Sequence, residues 1–275
     1  MRADISFVKA ALSAADHRPN RALGQNFCIA GDRLASCVAA MRIDEKPVLE
    51  IGAGLGALTE LLLPRCATLL AVEKDAALAK YLSESLKDPK LTVVCADALK
   101  YNADMPDGFV AVGNLPYSIT TPLCSALLER QPDALYCMVQ KEAGERFFAA
   151  PGDDNYGPLS VVCALYYKGE RMADFSEDCF YPQPNVQSVF VGLERREDTP
   201  TVAPHELMRF TALCLHMRRK TLKNNLASVP KALDALKVLG ISPATRGETL
   251  TPAQFLALYQ RIVGADDNGN EEMKE

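Results

Sequence analysis

A chain of 275 residues, 48% of them hydrophobic, is long enough for one sizeable folded domain and a smaller second one, which excludes a disordered polymer. Its 30 Lys and Arg against 35 Asp and Glu give a net charge of −5, so no global basic field points to nucleic acid. Residues 266–275 hold −4 of that charge, five acidic residues against Lys274, leaving −1 for residues 1–265; local basic patches therefore stay compatible with an RNA partner.

The first thirty residues carry Asp4, Lys9, Asp16, Arg18 and Arg21 where a signal peptide has an apolar core. No run approaches the roughly 18 apolar residues of a membrane span, so a cytoplasmic protein with no membrane partner is expected. The nine cysteines are odd in number and lie mostly in apolar runs such as Val93-Val94-Cys95, the pattern of buried thiols in a reducing compartment. With no CxxC pair and three scattered histidines, no metal site is expected.

From Pro47 onward, short apolar runs predict strands at Val48–Ile51, Leu69–Val72, Leu91–Val94, Val110–Val112 and Tyr136–Val139. Amphipathic stretches between them, Leu58–Leu63, Ala76–Leu86 and Pro122–Leu128, predict crossover helices. This alternation specifies an α/β fold with a doubly wound, mainly parallel sheet. Two later runs, Leu159–Tyr167 and Gln187–Leu193, are read as strands of a hairpin closing one sheet edge. The charged, proline-containing stretch Arg195–Pro204 reads as a linker. Beyond it, Glu206–Met217, Thr221–Leu226, Lys231–Leu239 and Pro252–Val263 show helical spacing, with Thr251-Pro252 as an N-cap and first helical residue.

The first strand runs into Gly52-Ala53-Gly54-Leu55-Gly56-Ala57 and then a helix. Glycines at such a turn let backbone approach a nucleotide, and the helix start offers free amide donors. The pattern also satisfies the dinucleotide-binding GxGxxA, and Glu73, at the end of the next strand, would hold a ribose diol in either kind of site. Asp97, past the third strand, stands where a carboxylate accepts from the amine of a cofactor adenine.

Gly113-Asn114-Leu115-Pro116-Tyr117 follows the fourth strand. An adenine amine is a poor nucleophile because its lone pair is delocalised into the ring. Acceptors aimed at its two protons favour the tetrahedral form that attacks a methyl sulfonium. The Asn114 side-chain carbonyl and the Leu115 main-chain carbonyl suit that role, with Pro116 fixing the local backbone. Tyr117 would stack on an extruded base. A turn with no catalytic role is the plainer reading of the tetrapeptide by itself.

At these residues the chain resembles the ribosomal RNA adenine dimethyltransferases, specifically the bacterial KsgA type. The resemblance runs through Leu23-Gly24-Gln25-Asn26-Phe27, Glu50–Gly54, Asn114–Tyr117, Gln140-Lys141-Glu142, Phe180-Tyr181-Pro182 and Arg218–Leu226. It implies a class I S-adenosylmethionine-dependent methyltransferase with a small all-α C-terminal domain. The implied reaction is dimethylation of two adjacent adenosines in the 3′-terminal hairpin loop of 16S rRNA, within an immature small subunit. It further implies that Asn26 and Cys28 line the cofactor from the N-terminal arm, with Gly52, Gly54, Glu73, Asp97, Ala98 and Asn114 as its other contacts. The chain departs from the family in having Cys28 for a leucine, Ala53 for a proline, Pro158 for a frequent arginine, and Asn185 and Gln187 for a lysine and an aspartate.

The expected organisation is an arm and helix over 1–46 contributing to the cofactor site, a catalytic domain over 47–200, a helical RNA-binding domain over 201–265, and a disordered acidic tail over 266–275. Arg218, Arg219, Lys220 and Lys223, with Lys141 and Arg146, are the candidate RNA contacts, and binding through so few charges should be salt-sensitive. A monomer is expected. Competing readings are a 23S rRNA adenine methyltransferase of the macrolide-resistance type, a non-catalytic ribosome-assembly factor, and an NAD-dependent dehydrogenase. The last leaves Asn114–Tyr117 and the basic run without purpose.

Overall fold

The computed structural model describes residues 1–267, the side chains of 264–267 excepted. Most of the expected acidic tail, residues 268–275, lies outside the described residues. In chain order the elements are α1 (Ile5–Ala14), β1 (Phe27–Cys28), α2 (Gly31–Ala40), β2 (Pro47–Ile51), α3 (Ala57–Leu62), β3 (Thr68–Glu73), α4 (Ala76–Ser85) and β4 (Leu91–Cys95). Then come β5 (Val110–Asn114), α5 (Thr120–Glu129), β6 (Ala134–Gln140), α6 (Lys141–Phe148), α7 (Pro158–Tyr166), β7 (Tyr167–Phe175), β8 (Phe180–Tyr181) and β9 (Ser188–Arg195). The chain ends in α8 (Pro204–Cys214), α9 (Leu222–Asn225), α10 (Ala232–Val238) and α11 (Pro252–Asp267).

Two compact units result: Met1–Gly144 with Gly169–Arg195, and Glu145–Lys168 with the residues from Arg196 onward. In the first, seven strands run in the order β4-β3-β2-β5-β6-β9-β7. The strands β2 to β6 pair in parallel, and β9 runs antiparallel to β6, with Asn114 opposite Met138 and Gln140 opposite Ser188. Strand order reverses between β2 and β5, the switch point at which open α/β sheets bind ligands beyond their carboxyl ends. The central strands β2, β5 and β6 are buried almost throughout, which is why they read as apolar runs in the sequence, broken in β2 by Glu50.

One expectation fails. Leu159–Tyr166 is not a strand but lies in helix α7, which starts with Pro158 at its first position and with the Gly157 amide donating to Ser160 Oγ at 3.1 Å. Leu159, Val161, Val162, Cys163 and Tyr166 are all buried, so the helix is apolar on every side and its sequence carries no helical period. The edge strand beside β9 is β7, whose Lys168, Glu170 and Arg171 are exposed. A polar edge strand lacks the apolar signal by which the buried ones were recognised. Pro158, in the position of a family arginine, thus starts a helix.

The first unit's N-terminal segment belongs to its core. Val8, Ala11 and Leu12 of α1 pack with Leu55 of the glycine-rich turn and Leu78 of α4. In the second unit, Leu207, Phe210, Thr211 and Cys214 form the buried face of α8, and Phe255, Leu258 and Ile262 that of α11, both at helical spacing. Phe210 meets Tyr259 edge-on at 5.5 Å, and the Tyr156 hydroxyl donates to the Leu250 carbonyl at 2.8 Å. All nine cysteines are free and eight are buried, with Cys95 exposed. Burial pushes the thiols of Cys28 and Cys37 up to about 11, so they stay protonated and unreactive. Among the described residues, no helix is long and apolar enough to cross a membrane.

Candidate active site

A cleft opens at the switch point, and its wall includes Asn26, Cys28, Gly52, Gly54, Glu73, Asp97, Ala98 and Asn114. Four separate chain segments converge here because β2, β3, β4 and β5 all end on the same sheet edge, with the N-terminal arm laid across them. Gly54 takes φ +54°, and a Cβ there would stand 3.3 Å from Phe27 Cε1, so the turn admits no larger residue against the arm. At Gly113 a Cβ would fall 2.5 Å from the Ile51 carbonyl; glycine lets β5 stay close to β2 just before Asn114.

Glu73 is buried at the end of β3, and both its carboxylate oxygens are aimed by backbone amides. Gly54 N donates to Oε2 at 2.8 Å and Asp75 N to Oε1 at 2.9 Å. Burial raises its pKa, and these two bonds oppose the rise. Asp97 lies two residues past β4. Lys74 Nζ sits 3.0 Å from its Oδ2 and Leu99 N donates to Oδ1 at 3.1 Å, and both hold its carboxyl below the usual range. Two ionised or strongly hydrogen-bonding carboxylates on neighbouring strand ends, with glycine backbone beside them, fit a ligand that offers hydroxyl and amine donors.

Asn114 closes β5 with its side chain oriented. Its Nδ2 donates to the Asn26 carbonyl at 3.0 Å, which leaves Oδ1 as the atom available to accept. Leu115 is buried and its amide donates to the Met138 carbonyl at 2.9 Å. Pro116, on the cleft wall, has φ −58° and ψ 128°, and its carbonyl accepts from Ile119 N and Thr120 Oγ1. Leu115 and Tyr117 do not line the cleft. Tyr117 is half-buried, and its hydroxyl is tied to Ser188 Oγ on β9 at 2.7 Å.

Other wall residues escaped the sequence reading. Arg2 is buried and donates from Nη1 to the Leu55 carbonyl at 3.1 Å and from Nη2 to the Ser85 carbonyl at 2.8 Å; nothing in its local sequence announces this. Glu50 stands amid the apolar run of β2, and that misfit was the available signal. Its Oε2 accepts from Thr59 Oγ1 at 2.7 Å, and burial, opposed by that bond and reinforced by Glu73, lifts its pKa to about 7. A carboxyl with a higher pKa folded than unfolded favours folding fully below its unfolded value of 4.5, and that contribution is lost as pH rises through about 7. Glu50→Gln is therefore expected to gain stability over the natural protein between pH 4 and pH 8, on the order of 3 kcal/mol. Urea midpoints at the two pH values measure this; parallel pH dependence of both proteins contradicts it.

The basic candidates divide. Arg218 donates to the carbonyls of Asp153, Asp154 and Tyr156 at 2.9–3.2 Å and lies 3.4 Å from Glu248, so it braces a loop of its own unit. Arg219, Lys220 and Lys223 are exposed; the first two sit in the turn after α8 and the third on α9. Buried Asn225 shapes that turn, donating to the Cys214 carbonyl at 2.7 Å and accepting from Met217 N at 3.2 Å. Lys141 opens α6 and donates to Gln187 Oε1 at 3.3 Å; Arg146 lies in the last turn of α6.

The chain is similar to known proteins over most of its length. A family model described as ribosomal RNA adenine dimethylase matches residues 16–263. The chain is 38% identical over 248 residues to the ribosomal RNA small subunit methyltransferase A of Thermotoga maritima, spanning 89% of this chain and 85% of that protein. It is 39% identical over 249 residues to the protein of the same name from Deinococcus radiodurans, spanning 88% and 85%. A crystal structure of a dimethyladenosine transferase from Plasmodium falciparum matches with a TM-score of 0.74 and 26% identity, over 86% of this chain and 96% of that one. The 23S rRNA methyltransferase ErmE matches with a TM-score of 0.64 and 27% identity, over 86% and 100%.

Proposed function

The chain belongs to the ribosomal RNA adenine dimethylase family, and from that premise we propose that its cleft holds S-adenosylmethionine while Asn114 presents an adenine amine of small-subunit rRNA for methylation. The enzyme is an S-adenosylmethionine-dependent rRNA adenine dimethyltransferase. The methyl donor supplies a carbon on a positively charged sulfur that leaves as a neutral thioether. Glu73 takes the donor's ribose hydroxyls, each oxygen keeping a lone pair beyond the amide bond it already accepts. Asp97, held ionised by Lys74, takes the amine of the donor's adenine. Asn26, Cys28, Gly52, Gly54 and Ala98 supply the remaining wall.

The observation that carries the reading is the orientation of Asn114. With Nδ2 spent on the arm, Oδ1 accepts one proton of the target amine; the Leu115 main-chain carbonyl, off the donor-cleft wall, is our acceptor for the other, for a base that reaches the loop from outside that wall. Both bonds strengthen as nitrogen becomes tetrahedral, so they stabilise the transition state more than the ground state. Neither group acts as a strong base. Tyr117, its hydroxyl held by Ser188, offers a fixed ring on which the extruded base stacks.

The substrate is the 3′-terminal hairpin loop of 16S rRNA, reached in an immature subunit while its two adjacent adenosines can still be extruded. Relatives at 38–39% identity carry small-subunit names, and among the solved structures the dimethyladenosine transferase fits with the higher TM-score, 0.74 against 0.64 for the large-subunit enzyme ErmE, which favours the small subunit. Such a substrate places the enzyme in the cytoplasm, where it acts as a monomer. Arg219, Lys220, Lys223, Lys141 and Arg146 contact phosphates and set position, not sequence.

Mass spectrometry of rRNA nucleosides, after incubating the protein with labelled S-adenosylmethionine and undermethylated small subunits, tests the whole reading. Dimethyladenosine in 16S rRNA is the expected product; label in 23S rRNA alone, or none, refutes it. Replacing Arg219, Lys220 and Lys223 together by alanine is expected to weaken particle binding and to lower the salt slope of log K by about 2. Arg218→Ala should instead lower thermal stability, and an equal fall in salt slope would return it to the RNA surface.

A further inference from the structure

Gln25 lies in the arm motif, yet the chemistry above gives it no part. Its amide is engaged on both sides. Oε1 accepts from Asn20 N at 2.7 Å and lies 2.9 Å from His17 Nε2, while Nε2 donates to Asp75 Oδ2 at 3.1 Å. Asp75 in turn uses Oδ1 to cap α4, accepting from Ala77 N and Leu78 N, and its own amide donates to Glu73 Oε1. Glu73 Oε2 then accepts from Gly54 N. An unbroken chain of hydrogen bonds thus runs from the arm, through one glutamine and one aspartate, to the carboxylate and glycine turn of the cleft.

The residue after Gln25 grips the other half of the site, since the Asn26 carbonyl receives Asn114 Nδ2. Gly24, on its other side, packs on the catalytic loop; a Cβ there would lie 3.4 Å from Pro116 Cβ. Three consecutive arm residues therefore touch both the donor-binding carboxylate, through Asp75, and the catalytic loop.

We infer that Gln25 is a positioning residue that latches the N-terminal arm over the cleft through Asp75, so that arm closure orders the Glu73 carboxylate and Asn114 together. This rests on the reading of the cleft as the methyl-donor site. The primary amide of Gln25 meets both demands at once, its Oε1 accepting from a backbone amide and its Nε2 donating to a carboxylate. Leucine fills the space without either bond. Glutamate sets a second carboxylate against Asp75, which like charge disfavours.

The test uses full-length protein and S-adenosylhomocysteine as probe, with Kd by calorimetry, dissociation rate by stopped flow and kcat at saturating S-adenosylmethionine. Gln25→Leu and Gln25→Glu are expected to weaken binding about tenfold, chiefly through faster dissociation, and to lower kcat about three- to tenfold as Asn114 loses its ordered hold on the arm. The exchanged pair Gln25→Glu with Asp75→Asn rebuilds the latch in reverse, asparagine donating to glutamate and still able to cap α4. It is expected within about threefold of the natural Kd. Unchanged Kd and dissociation rate in Gln25→Leu, or an exchanged pair no better than Gln25→Glu, overturns the latch alone. Should Gln25→Leu not fold, the comparison of Gln25→Glu with the exchanged pair decides. Natural protein that fails to bind S-adenosylhomocysteine overturns the functional reading and the latch with it.

Discussion

Asn114→Ala is expected to lower kcat for methyl transfer about 10²- to 10³-fold, the cost of removing one preorganised acceptor from a developing charge. In the proposed mechanism the amine is activated by hydrogen-bond acceptors and not by a base, so no neighbouring group takes over when Oδ1 is gone. The Asn26 carbonyl loses its partner as well, which loosens the arm at its contact with the catalytic loop. Binding to undermethylated small subunits should change by less than about threefold, because phosphate contacts lie on other residues. Single-turnover rates and filter binding on the same preparation separate the two effects. Full activity in this variant removes Asn114 from the chemistry, and lost particle binding makes it an RNA contact.

Glu73→Gln is expected to weaken S-adenosylmethionine binding about a hundredfold, equivalent to about 2.7 kcal/mol. The change is isosteric but not conservative. Both carboxylate oxygens face backbone N–H donors, from Gly54 and Asp75, so the new NH2 group must point at one of them. A donor meeting a donor either leaves that amide unsatisfied or turns the side chain away from the cleft. Equilibrium dialysis with labelled donor measures the loss, and wild-type affinity in Glu73→Gln removes Glu73 from the binding site. A dehydrogenase reading would also place an acidic residue here, but the family match leaves no place for it.

The central strands of the parallel sheet were legible because they are buried on both faces and mostly apolar, and β3 and β4 because leucine and β-branched residues dominate them even where β4 is part-exposed. The glycine turn was legible because its residues must follow a strand directly. Glu73, Asp97 and Asn114 could be assigned to one edge, since parallel strands present all their carboxyl ends together. Helix α7 was misread for the same reason that the strands were found: a continuous apolar run marks burial and not its geometry. Strand β7 was missed because an exposed edge is polar.

The basic run 218–223 shows a further limit. Charge in a sequence does not say whether a guanidinium is already engaged, and three loop carbonyls claim that of Arg218 although it is exposed. Arg2 shows the converse, since a charged residue at a chain start gives no local sign of the cleft it lines, whereas Glu50 shows as a misfit within an apolar strand.

The order of residues along the chain by itself determined the family, the alternating architecture and the identity of the groups at the strand ends, because those depend on short-range pattern and chemical type. Only tertiary structure decided which atom of each group is free to work. The Asn114 amide is turned by a carbonyl 88 positions away, the Glu73 carboxylate is aimed by Gly54 19 positions before it, and the arm is fastened by Gln25 and Asp75, 50 positions apart. Hydrogen bonds of that range exist only once the sheet has brought the segments together, and no local pattern encodes their direction.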